Sequence, residues 1–221
     1  MATRRSNSPF GDYHGTVGTV VLSEWNSIPV MRSRPTKRKK KGSQKQQQQS
    51  KILGLVNMFL ITAKDIINLG FQKPKLAKMS QYNAAVSYHM QNAVFGDPAD
   101  PQLNLSKVKL SCPICQTEPA WNPGLFLEPG GRIIVRWEQN PFPQKYTQLN
   151  DKVNIVFYYS NGRRFSFHRD SCVRSDSSYT YTIPYGKPGD EVYCYMFMVS
   201  QDGKRVSETE YLGMVSLVEA R

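Results

Sequence analysis

The apolar positions change period along the chain, and each change predicts a different kind of element. Over residues 15–25, Val17, Thr19, Val21, Ser23 and Trp25 alternate with their neighbours, and the β-branched content predicts one strand rather than a helix. Helical sequence separates that strand from the later ones. It must therefore pair with a distant sheet or with another chain. A period near 3.6 follows. Leu53, Val56, Leu60, Ala63 and Ile67 predict a helix over residues 46–69 with Gly70 as its C-cap. Ser80 is the N-cap of a second helix carrying Tyr82, Ala85, Val86, Ala93 and Val94, which Phe95-Gly96-Asp97-Pro98 stops. Two helices alone bury little, so the pair should dock on a partner or on the C-terminal part of the chain.

From about residue 103 the period becomes two, with candidate strands at 105–110, 133–137, 153–159, 163–168, 179–183, 192–200 and 204–218, the last broken near Gly213. Asn161-Gly162 and Asp202-Gly203 sit between alternating segments and predict two hairpins. In residues 192–199, Tyr193, Tyr195, Phe197 and Val199 share one face while Val192, Cys194, Met196 and Met198 share the other. Both faces are apolar, which places this strand centrally. The expected fold class is α+β: an N-terminal strand and basic arm (1–50), a helical pair (51–102), then an antiparallel β-sandwich (103–221).

Residues 131–137, Gly-Arg-Ile-Ile-Val-Arg-Trp, precede a long apolar strand, a hairpin and a Tyr-rich strand before Asp-Gly. This order resembles a fibronectin type III or immunoglobulin-like sandwich over roughly residues 118–218, which implies a binding or assembly module. The whole chain also resembles an uncharacterised family of small basic proteins from Bacteroidetes and their mobile elements. Residues 15–21, Ser23-Glu24-Trp25, Arg32-Ser33-Arg34-Pro35, Gly70-Phe71, residues 79–85 and Asp202-Gly203-Lys204 carry that resemblance. It implies a two-part architecture and supplies no activity.

Charge sharpens the division. Residues 1–106 hold 15 lysines and arginines against 5 acids, whereas residues 107–221 hold 14 against 12, so the net charge of +12 sits almost entirely in the first half. Within residues 32–51 nine cations occur with no acid: Arg32, Arg34, Lys37, Arg38, Lys39, Lys40, Lys41, Lys45 and Lys51. This run repels itself and continues into the polar tract 44–49, so it is expected to stay extended until an anion neutralises it. Bound along a phosphate backbone, it releases counterions and gains sequence-independent, salt-sensitive affinity. No base-reading motif accompanies it. The other reading of such a block is a solvated tail or an address label.

Other chemistry has thin support. Cys112-Pro113-Ile114-Cys115 has the spacing of half a zinc site or of a redox pair. Cys172 and Cys194 would have to complete a four-thiolate site without a second C-x-x-C, which favours ordinary reduced thiols. Histidine occurs only at His14, His89 and His168, and no two have metal-ligand spacing. His168-Arg169-Asp170-Ser171-Cys172 places a base, an acid and two nucleophiles side by side, but neighbours in one strand or turn do not point at one another. Phosphate-cradling loops, zincin helices and nucleophile elbows are absent from the sequence, so neither catalysis nor a cofactor is expected. The sequon Asn104-Leu105-Ser106 lacks a preceding secretion signal, and the apolar stretch 52–63 is shorter than a bilayer span.

Two functional expectations follow. One is a structural component of a multi-subunit particle, of phage virion or capsid type. In it the arm, through Arg32, Arg34, residues 37–41 and Lys45, contacts nucleic acid, and Val17, Thr19, Val21 and Trp25 add a strand to, or pack against, another copy. The other is a cytoplasmic nucleic-acid-binding accessory of a bacterium or mobile element.

Overall fold

Gly18 sets the architecture of the N-terminal region. It stands at φ +57 in the two-residue turn that joins β2 (Tyr13–Val17) to β3 (Val20–Trp25), a backbone state that glycine adopts without a Cβ penalty. The single strand expected over residues 15–25 is therefore a hairpin. Val17 faces Val20 across it, Thr19 lies in the turn, and the alternation expected from Val17 to Trp25 is broken. The structure, a computed structural model, describes residues 3–4, 13–25, 28–36, 42–72, 79–183 and 189–217, and the chain divides into two units, 1–44 and 45–221. In the first unit, β1 (Thr3–Arg4) and β4 (Ile28–Ser33) complete an antiparallel sheet of order β1-β2-β3-β4. The glycine-rich strand thus finds both neighbours within its own chain. Val21 opposes Arg32, Leu22 opposes Met31, and Trp25 closes β3 opposite Ile28. None of the side chains described in this sheet is fully buried.

The second unit begins with α1 (Gln44–Leu60), one 3-10 turn and α2 (Lys64–Gly70). Gly70 is not the left-handed cap that the sequence suggested. It is the last residue of α2, and a Cβ there would collide with the backbone of Leu110 and Ser111, so close approach is what requires glycine. By length and composition the continuous run Gln44–Gly70, 27 residues, could cross a membrane, which the stretch 52–63 did not suggest. One face of this run is packed on a sheet. Helix α3 (Gln81–Asn92) starts as expected, with the Ser80 hydroxyl accepting the Asn83 N–H at 3.2 Å. It leads into a small hairpin, β5 (Val94–Asp97) and β6 (Asp100–Leu103), that the sequence did not announce. The strand expected at 105–110 is instead a 3-10 turn, Leu105–Lys107, followed by extended chain. Asn104 holds this turn by accepting from the Ser106 N–H.

Seven further strands form two facing antiparallel sheets. β7 (Trp121–Glu128), β8 (Arg132–Glu138) and β11 (Ser178–Thr182) make one, in order β11-β8-β7; β9 (Lys152–Tyr159), β10 (Arg164–Val173), β12 (Glu191–Val199) and β13 (Glu210–Ser216) make the other, in order β10-β9-β12-β13. The chain changes sheet after β8, β10 and β11, which is an immunoglobulin-like sandwich. The Asn161-Gly162 hairpin joins β9 to β10. The Asp202-Gly203 turn lies between β12 and β13, with Gly203 at φ +70 and a bridge from Val199 to Val206. Strand β13 starts at Glu210 rather than near residue 204, and Gly213 at φ +127 marks a bulge opposite Cys194.

Strands β9 and β12 explain why helices and sandwich share one unit rather than separating at residue 102. Val153, Ile155, Phe157, Val192, Cys194, Met196 and Met198 face the other sheet, where they pack with Ile133, Val135 and Trp137. Val156, Tyr158, Tyr195 and Phe197 face the helices, where they pack with Val56, Phe59, Leu60, Ile66 and Ile67. The molecule's second unit is three layers deep, and its central sheet is apolar on both sides. Burying one such side chain stabilises by about 1.5–3 kcal/mol.

Candidate nucleic-acid interface

The cationic residues fall at both ends of the connection between the units. Arg32 lies on the edge strand β4 and is exposed. Arg34 follows it, also exposed, and its backbone N–H donates to Thr19 O at 2.7 Å, which fastens the departing chain to the β2–β3 turn. Lys37, Arg38, Lys39, Lys40 and Lys41 lie outside the described residues. Lys45 stands exposed in the first turn of α1, a turn without an acidic residue. A cation at the positive end of a helix dipole is unfavourable, so this end of α1 favours an anion beside it. Lys51 differs from the rest, because its Nζ donates to Ala99 O at 2.9 Å and thereby ties α1 to the β5–β6 turn.

The thiols do not gather. Cys112 packs on the helix side of the central sheet and Cys115 is exposed, while Cys172 and Cys194 belong to the core between the sheets. Gln72 organises the C-x-x-C loop by accepting the Ile114 and Cys115 N–H groups at 2.8 and 2.7 Å. Burial, with Asp176 nearby, pushes the Cys172 thiol up to about 12, and burial also raises the Cys194 thiol. Both are poor thiolates. Among the described residues no group of three or more His, Cys, Asp or Glu is placed to hold a metal, and the four thiols of the zinc set, Cys112, Cys115, Cys172 and Cys194, do not come together: Cys112 packs on one face of the sheet, Cys172 and Cys194 on the other.

Both ring nitrogens of His89 and of His168 lie within hydrogen-bonding distance of a partner. His89 is fully buried on α3, with Nδ1 at 2.7 Å from Ala85 O and Nε2 at 3.2 Å from the Lys109 N–H. Those partners specify a neutral ring that donates from Nδ1 and accepts at Nε2. Burial lowers its pKa. His168 does not meet Asp170 or Cys172 in a triad. Its Nε2 lies 2.9 Å from Ser166 Oγ and its Nδ1 2.8 Å from the Tyr179 hydroxyl, which links edge strand β10 to edge strand β11 across the open side of the sandwich. Burial lowers this pKa as well.

Sequence reasoning also missed a buried ionic lock. Asp151 and Arg174 pair at 3.2 Å with side chains 0% and 5% exposed. Asp151 accepts from the Thr117 hydroxyl at 2.7 Å, and Arg174 donates to the carbonyls of Glu118 and Pro119. Nearby, burial raises Glu210 to about 7, opposed by the Ala120 N–H and by Arg174. These groups pin residues 117–120 to the sandwich; their side chains are too far apart in sequence for spacing to reveal them.

An immunoglobulin-like sandwich backed by helices and preceded by a small charged sheet is the class these elements define. Residues 12–213 match the model of a family of unknown function (DUF6266), and the chain belongs to that family. No curated protein matches it. Among solved structures, the twitchin kinase region from C. elegans is 14% identical, with a TM-score of 0.37 over 48% of this chain and 18% of that one. A cytokine receptor complex is also 14% identical, with a TM-score of 0.34 over 55% of this chain and 58% of that one. The chain thus spans a minor part of the first and just over half of the second. The sandwich assignment rests on the strand order and register given above.

Proposed function

We propose that this is a non-enzymatic nucleic-acid-binding protein: the N-terminal sheet and the basic stretch after it take hold of a phosphate backbone, and the helix-backed sandwich is an assembly scaffold. The carrying observation is the separation of charge, nine cations without an acid over residues 32–51, starting on the exposed edge strand β4 and reaching the exposed first turn of α1. Such a run neutralises several phosphates at once and needs no base contacts.

The self-paired β3 favours a free-standing accessory of a bacterium or its mobile elements, acting as a monomer or small oligomer. A second reading, a component of a phage-type virion or capsid, draws on the N-terminal sheet: Val17 is 56% and Met31 57% exposed, surface that neighbouring subunits would cover.

Replacing Lys37, Arg38, Lys39, Lys40 and Lys41 together with Gln is expected to abolish most nucleic-acid retention in a low-salt filter-binding titration and to flatten its salt dependence, with the thermal midpoint of the sandwich unchanged. Unchanged retention overturns the proposal. Light scattering on the eluting protein, read with its 260/280 absorbance ratio, separates the settings: a large nucleic-acid-rich particle selects the second.

A further inference from the structure

Between α1 and the helix-facing side of β9 lies a recess of about 170 Å³. Leu55, Met58 and Phe59 of α1 wall one side, and Leu103 and Leu105 close the other. Tyr158 and Arg163 complete the lining, and Arg163, an exposed residue, marks the open side, the lip of the recess. Arg163 reaches that place from the β9–β10 turn with φ +47, a left-handed state uncommon for a residue with a Cβ. Among the described residues its guanidinium has no carboxylate partner, and its contact is Met58 Sδ at 3.9 Å. Burial raises the Tyr158 pKa, and the positive charge of Arg163 opposes the rise.

Size and chemistry select the ligand. An apolar cavity of about 150 Å³ holds one benzene ring. A ring seated against Leu55, Phe59 and Leu103 leaves any anionic substituent at the lip, where a guanidinium and a phenol can both donate to a carboxylate. We propose that this recess is a binding site for a single aromatic ring bearing a carboxylate on a short tether, with the ring in the recess and the carboxylate on Arg163 and Tyr158. The same chemistry is offered by a free arylalkanoate and by the C-terminal phenylalanine of a peptide. This site lies wholly within the second unit and is independent of the nucleic-acid reading.

The test is calorimetric titration of the full chain with phenylpropionate, with its neutral amide, and with a short peptide ending in phenylalanine as free acid or as amide. Phenylpropionate or the free-acid peptide is expected to bind saturably, about tenfold more tightly than its amide, and Arg163→Gln is expected to remove that tenfold preference. The tighter of the two acids identifies the source. Leu55→Trp, which fills the recess and leaves Arg163 in place, is expected to abolish binding of all four probes. Absence of saturable binding by the wild-type chain, or equal affinity for acid and amide, overturns the proposal. So does an acid preference that survives Arg163→Gln; this variant changes an exposed turn residue, and a circular dichroism spectrum checks that it is folded.

Discussion

Single residues set the pH response. His89 is held neutral, with a pKa below its ordinary 6.5. The unfolded chain then binds a proton that the folded chain refuses, so this stabilisation is complete above about pH 6.5 and is lost as the pH falls towards the folded value. An NMR titration is expected to show the His89 ring still neutral at pH values where an exposed imidazole is charged. Glu210 acts in the other direction. Its pKa is raised from 4.5 to about 7, so the folded chain holds the extra proton, and stability is present below 4.5 and lost as the pH climbs to 7. Glu210→Gln is therefore expected to show a smaller fall in thermal midpoint between pH 5 and pH 8 than the wild type, since the amide has nothing to ionise. Equal falls would remove Glu210 from the account.

At the scale of elements, close approach outweighs propensity at Gly70. Alanine is better in a helix by about 0.8–1 kcal/mol, yet its Cβ would meet the backbone of Leu110 and Ser111, which cannot rotate away as a side chain can. Overpacking of this kind costs about 1–3 kcal/mol, so Gly70→Ala is expected to lower the denaturant midpoint rather than raise it. The elements legible from sequence were those with a clean period. Helix α3 announced itself through Ser80, and β8, β9, β11 and β12 through alternation or through continuous apolar runs. Strand β7 was missed because Trp121-Asn122-Pro123-Gly124 reads as a turn; at a sheet edge a proline removes no ladder bond, and a bulge absorbs the mismatch. The break at Gly18 was missed for the opposite reason. Its neighbours alternate well enough to run through it, and only the φ of +57 reveals the turn.

For the molecule as a whole, the cations were legible because charge needs no fold to be counted, and residues 37–41 lie outside the described residues even so. The recess beside Arg163 was not legible at all. Its walls come from positions 55, 58, 103, 105, 158 and 163, which only the docking of α1 on β9 brings together. The buried pair Asp151–Arg174 is hidden in the same way, since its worth depends on being dry; removing one partner strands a charge and costs about 3–5 kcal/mol. Asp151→Asn is therefore expected to lower the urea midpoint by more than a change at an exposed acid such as Asp202.

Immunoglobulin-like modules are usually portable, because their outer faces are already clad in polar side chains. Here the helix-facing side of the four-stranded sheet is mostly apolar: Tyr158, Tyr195 and Phe197 are occupied by the helical cover. Cut out at residue 118 and grafted elsewhere, the β-domain would carry a naked aromatic wall and stick to itself. The helices and the sandwich therefore form one folding piece, and a version of the β-domain without the helices needs some other shelter for that wall.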